Sequence, residues 1–106
     1  MRKSDKKLDN QIIKALTKVC HIALDEVEGF VWLTHTVNFQ QFPDSLQVTC
    51  MFKDEQWLAN YIKSPASQGL ATLVEKHLAD IGIKLNRINK QVVLDSEEPS
   101  HQQRLQ

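Results

Sequence analysis

The order of hydrophobic patterns predicts an α+β fold, α-β-β-α-α-β, with a three-stranded sheet packed against helices. Three observations carry this: a long segment with apolar residues every three or four positions, two adjacent alternating segments rich in aromatic and β-branched residues, and two short amphipathic helices split at Ser64-Pro65 ahead of a last β-branched run. At 106 residues, 42% apolar and 25% charged, the chain suits one core and one domain. That domain spans residues 1–95, and the polar stretch 96–106 reads as a disordered C-terminal tail.

The first helix runs from Asp5 to Val27, with Leu8, Ile12, Ile13, Leu16, Val19, Cys20, Ala23, Leu24 and Val27 on its apolar face. Ser4 is the expected N-cap, Asp5 and Asp9 suit the positive end of the helix dipole, and Gly29 supplies a left-handed stop. Phe30 to Phe39 forms the first strand, and residues 46–52 form the second, with Leu46, Val48, Cys50 and Phe52 on one face. Between them, residues 40–45 contain Pro43, Asp44 and Ser45, which have turn chemistry, so the strands make a hairpin.

Asp54 is placed to cap a short helix carrying Trp57, Leu58, Tyr61 and Ile62 toward the core. The residue before a proline avoids helical backbone, so Ser64 ends that helix and Pro65 serves as the first residue of the next. Leu70, Leu73, Val74, His77, Leu78 and Ile81 form the apolar stripe of this third helix, with Gly82 as its stop. Residues 83–94 read as one strand bulged near Asn86-Arg87, because Ile83 and Leu85 alternate out of phase with Ile88, Val92 and Leu94. A helix extension through Ile81, Leu85, Ile88 and Val92 is the competing reading.

Thirteen basic and thirteen acidic residues cancel, so attraction to an anionic partner must come from local patches. Two such patches exist. Lys3, Lys7, Lys14 and Lys18 share the back of the first helix, and Lys84, Arg87 and Lys90 accompany the hydrogen-bonding groups of Asn86, Asn89 and Gln91. Together they make a candidate nucleic-acid-binding footprint; no aromatic residue interleaves the lysines, so backbone contact rather than base stacking is implied. The plain alternatives are the solvated face of an amphipathic helix and lysines that guard a sheet edge.

Cys20 and Cys50 are too few for a disulfide scaffold and read as reduced core residues. No apolar run has the length of a membrane span or of a signal-peptide core, so a soluble, cytoplasmic protein is expected, with no membrane partner. Cys20, His35, Cys50 and His77 all fall on core-facing positions, but without close ligand spacing; packing is the expected role and no metal or other cofactor is called for. Cys20 and His21 point about 100° apart on a helix and make no catalytic dyad. Only three glycines occur and none builds a phosphate loop, so catalysis has no positive support. Trp32, Phe42 and Met51 are apolar residues on or near the hairpin and form a candidate partner-binding surface for another protein or a second copy.

The α-β-β-α-α-β order resembles the type II K-homology topology, shared by BolA-like and ribosome-binding-factor-A-like small bacterial proteins. Nucleic-acid-binding K-homology domains carry a GxxG loop between the paired helices, where this chain has Ile62-Lys63-Ser64-Pro65-Ala66-Ser67. The resemblance therefore implies a fold and carries over no functional residue. Residues 28–35, Glu-Gly-Phe-Val-Trp-Leu-Thr-His, and 80–85, Asp-Ile-Gly-Ile-Lys-Leu, are similar to a family of small uncharacterised gamma-proteobacterial proteins over residues 1 to about 98. Some of these carry the label of a Fis-family transcriptional regulator, although Fis proteins end in a helix-turn-helix and this chain is expected to end in a strand and tail.

Two classes of function follow. One is a non-enzymatic interaction or assembly module using a hairpin face or sheet edge, and the other is a nucleic-acid-associated accessory protein using the basic back of the first helix.

Overall fold

The computed structural model describes residues 3–97, excluding the side chain of Lys3. Helix α1 (Lys3–Glu26) buries Ile12, Leu16, Val19 and Ala23 along one stripe. It packs on the third helix and the first strand, which turns its buried face toward Ala15. Ile13 and Leu24, expected in the core, are 45% and 52% exposed. Ser4 lies inside the helix rather than capping it.

Strand β1 (Phe30–Thr36) pairs antiparallel with β2 (Gln47–Phe52), and β2 pairs in parallel with β3 (Val92–Ser96), giving the sheet order β1-β2-β3. A bulge between Phe30 and Trp32 keeps Phe30 opposite Phe52 and puts Trp32 opposite Met51. Leu33, His35, Val48, Cys50, Phe52, Val92 and Leu94 consequently share one face, and Trp32, Thr34, Thr49, Met51, Val93 and Asp95 share the other. The helices cover the first face, where Val48, Cys50 and Phe52 are fully buried.

The first strand is shorter than the predicted 30–39. Asn38 accepts from the Gln40 N–H through Oδ1 at 3.0 Å, starting a 3-10 turn at Phe39–Gln41, and Ser45 Oγ donates to the Asn38 carbonyl at 2.6 Å. These local bonds give the backbone an alternative to the ladder. The Phe42–Pro43 peptide is cis.

Helix α2 (Glu55–Lys63) starts at the predicted cap, with Asp54 Oδ1 accepting from the Trp57 N–H at 3.0 Å. It turns Tyr61 onto Phe52, ring centroids 5.1 Å apart, and leaves Ile62 55% exposed instead of buried. Helix α3 (Gly69–Ala79) begins four residues after Pro65, which corrects its expected start. Residues 64–69 are closed by turns, Ser67 N–H to Ser64 O at 3.2 Å and Gly69 N–H to Ala66 O at 2.8 Å. Tyr61 Oη then accepts the Leu70 N–H at 2.9 Å. A free donor of the new helix is satisfied by a tertiary hydroxyl, where a local cap would ordinarily serve.

Gly82, at φ +84°, ends the third helix as predicted. Gly82 N–H bonds Ala79 O and Ile83 N–H bonds Leu78 O, both at 2.9 Å, the paired bonds of a Schellman motif.

Residues 83–94 are neither one bulged strand nor an extension of α3. A one-turn helix, α4 (Ile88–Gln91), leads directly into β3. Gln91 is the reason: its side chain is 3% exposed, Nε2 donates to Pro43 O at 2.7 Å and Leu46 O at 3.0 Å, and Oε1 accepts the Arg87 N–H at 2.9 Å. One amide thus joins the hairpin loop to the entry of β3. The strand continues to Ser96 and the Glu97 N–H bonds Phe52 O at 2.9 Å, so the expected boundary at residue 95 falls inside β3. The remainder of the expected tail, residues 98–106, lies outside the described residues.

Candidate functional site

The helix-free face of the sheet brings Trp32 and Met51 together. They are register partners on adjacent strands, with Asp95 of β3 beside Met51 on the same face. Trp32 is 39% exposed, although its indole Nε1 donates to Glu97 Oε2 at 2.7 Å. The donor sits on β1 and the acceptor just past β3, so the indole spans the middle strand. Thr34, Thr49 and Val93 form the adjacent row. The resulting patch pairs a large aromatic ring and a thioether with hydroxyl groups and two carboxylates, Asp95 and Glu97. The outward apolar positions point to Trp32 and Met51, whereas Glu97 falls in the polar stretch read as a tail, because its contact spans 65 residues.

Phe42 does not join them. It is half-buried, packs against the core cluster, and its ring stacks at a tilt on Phe39 with centroids 5.7 Å apart. It anchors the hairpin loop.

The basic groups divide similarly. Lys7, Lys14 and Lys18 are exposed on α1, while the side chain of Lys3 lies outside the described residues. Lys14 and Lys18 line a shallow depression with His77, Asp80 and Ile81 of the α3 end, so a carboxylate tempers the local positive charge. Lys84, Arg87 and Lys90 are exposed but do not line that depression. They also precede β3 rather than belonging to an edge strand, which corrects the edge-guarding role, and Gln91 between the last of them and the strand is a buried structural group.

The two histidines have separate partners, and Cys20 and Cys50 are free thiols. His35 Nε2 lies 2.9 Å from Asp9 Oδ1, joining β1 to α1, and His77 Nδ1 lies 3.0 Å from Leu73 O. Among the described residues, no three His, Cys, Asp or Glu side chains gather closely enough to hold a metal ion. Burial pushes the Cys50 thiol up to about 12, with the nearby Cys20 adding to the effect. A thiol so held stays protonated near neutral pH and is unsuited to nucleophilic attack. Burial also raises the Tyr61 hydroxyl, opposed by the Leu70 N–H it accepts.

A second concavity of about 720 Å³ lies between the C-terminal end of α1, α2 and the start of α3. Trp57, Tyr61 and Leu73 supply its apolar walls, and Glu26 and Glu28 stand at the α1 end. Comparisons with protein-family models, with curated proteins and with solved structures gave no match. Any assignment of function therefore rests on the surfaces of this chain. Among the described residues, no helix is long and apolar enough to cross a membrane.

Proposed function

We propose that this protein is a non-enzymatic interaction module whose contact surface is the helix-free face of the sheet, taking another protein chain or a second copy of itself. The observation that carries the reading is the Trp32–Met51 register pair on a face that no helix covers. Aromatic residues and methionine are enriched where proteins meet, since they bury much area with little conformational loss. Trp32 is tethered by Glu97, so less of its freedom remains to be lost on binding.

The test is affinity capture with wild type and a Thr34→Lys/Thr49→Lys variant. Both positions lie on the outer face, away from the core cluster, and circular dichroism with thermal denaturation checks that the variant stays folded, since the two lysines face each other in register. The reading expects a partner, or self-association by light scattering, that the variant loses. Capture unaffected by these lysines overturns it.

The second reading, contact with nucleic-acid phosphates through α1, is favoured by the exposure of Lys14 and Lys18 around one depression. Binding that weakens steeply with salt, and is lost in a folded Lys7/Lys14/Lys18→Glu variant, supports it. No binding at low salt removes it.

A further inference from the structure

The cleft between α1, α2 and α3 lies apart from the sheet face, and its chemistry selects one kind of occupant. Its volume of about 720 Å³ falls within the ~300–1,000 Å³ typical of small-molecule sites. Trp57 and Tyr61 provide aromatic walls, with Leu73 and Val27 as aliphatic surface. The wall is firm at Trp57, which packs so closely on Gly29 that a Cβ there would lie 2.6 Å from the Trp57 Cβ. Tyr61 is held by the hydrogen bond from Leu70.

Charge is one-sided. The two charged residues lining the cleft are both carboxylates, Glu26 and Glu28, and among the described residues neither has a cationic partner. They sit at the C-terminal end of a 24-residue helix whose last turn carries no basic side chain. That end already bears the negative pole of the helix dipole, where acidic groups cost stability and a cation is favoured. Asp25, exposed next to Glu26 in the sequence, adds to the negative potential, and Lys53, which lines an adjoining depression with Glu28 and Trp57 but not the cleft itself, offsets part of it. An aromatic-walled cleft with a negative mouth matches an apolar body carrying one positive group, because ring faces and carboxylates both attract cations.

We infer that this cleft is a binding site for a small organic cation, its apolar body against Trp57, Tyr61 and Leu73 and its ammonium or guanidinium group beside Glu26 and Glu28. This site is independent of the sheet face. Occupancy there would leave Trp32 and Met51 free for a protein partner.

Three probes with one apolar body and different charge test it: 4-phenylbutylammonium, 4-phenylbutanol and 4-phenylbutanoate, titrated into the full isotope-labelled chain by NMR. The ammonium is expected to shift resonances of Trp57, Gly69 and Leu73, and to bind roughly three- to tenfold more tightly than the alcohol, with the carboxylate weakest. In a Glu26→Gln/Glu28→Gln variant, altered only at exposed side chains, ammonium affinity falls to that of the alcohol and alcohol affinity is unchanged. Equal affinity for the three probes, shifts confined to other residues, or no shifts at millimolar ammonium overturns the inference. A lysine-containing apolar peptide that binds the cleft while the free ammonium does not also overturns it, since the site would then belong to a protein partner.

Discussion

Trp32 on the first strand donates its indole proton to Glu97, the residue after the last strand, at 2.7 Å across the open face of the sheet. The contact closes the two outer strands over the middle one and holds the largest exposed ring of that face. Glu97→Gln keeps a weaker acceptor and Glu97→Ala removes it. The expected cost is within about 1 kcal/mol, because the pair is exposed, while the Trp32 indole N–H gains exchange rate and changes chemical shift. Thermal denaturation with indole NMR checks both.

Gly29 and Gly82 have nearly the same backbone, φ +85° and +84°, but different surroundings. A Cβ at Gly29 meets the root of Trp57 at 2.6 to 2.9 Å, and one at Gly82 meets nothing within 4 Å. Gly82→Ala should therefore cost only the left-handed backbone term, about 1–2 kcal/mol. Gly29→Ala adds overpacking of roughly 1–3 kcal/mol. Urea denaturation of the two variants is expected to place Gly29→Ala clearly lower in midpoint.

Gln91 occupies its buried site with every strong hydrogen-bonding group used. Gln91→Leu removes the side-chain partners of the Leu46 carbonyl and the Arg87 N–H, while Pro43 O keeps its bond from the Leu46 N–H; each unsatisfied buried group costs ~1–3 kcal/mol. Gln91→Glu sets a carboxylate against two carbonyls and should be worse at neutral pH, with partial recovery in acid as it protonates. Denaturation at pH 7 and pH 4 separates the two.

Cys50 provides a pH prediction with a definite sign. Its folded thiol is raised from 9.0 to about 12, chiefly by burial. The unfolded chain therefore loses this proton first as pH rises. The contribution is fully present below pH 9 and is lost between 9 and about 12, with a slope approaching about 1.4 kcal/mol per pH unit. Cys50→Ala lowers stability at pH 7 through lost packing and flattens that alkaline slope. Thiol reagents should label Cys50 only at the rate of unfolding, since it is fully buried.

Where local chemistry decided the fold, the sequence was readable: the spacing of Ile12, Leu16, Val19 and Ala23, the alternation of Val48, Cys50 and Phe52, the Asp54 cap and the Gly82 stop all occur as expected. Where a distant group decided it, the pattern was silent. The start of α3 depends on the Tyr61 hydroxyl more than on Pro65, and α4 depends on carbonyls of Pro43 and Leu46 that lie 48 and 45 residues from Gln91. The candidate surface was half legible for the same reason. Trp32 and Met51 announce themselves as apolar residues at outward positions, whereas the bulge that aligns them and the Glu97 acceptor belong to the folded sheet. Phe42 carries the same apolar signal and is a core contact.

Under the proposed function, partners meet the sheet through its open face. Site-specific photo-crosslinking in the native cell tests it most directly, with the reactive side chain placed in turn at Thr34 and Thr49 on that face and at Glu75 and Lys76 on the exposed side of α3. A discrete protein adduct from the sheet positions, absent from the α3 positions, is the predicted result. Adducts from α3 with none from Thr34 or Thr49 would contradict it.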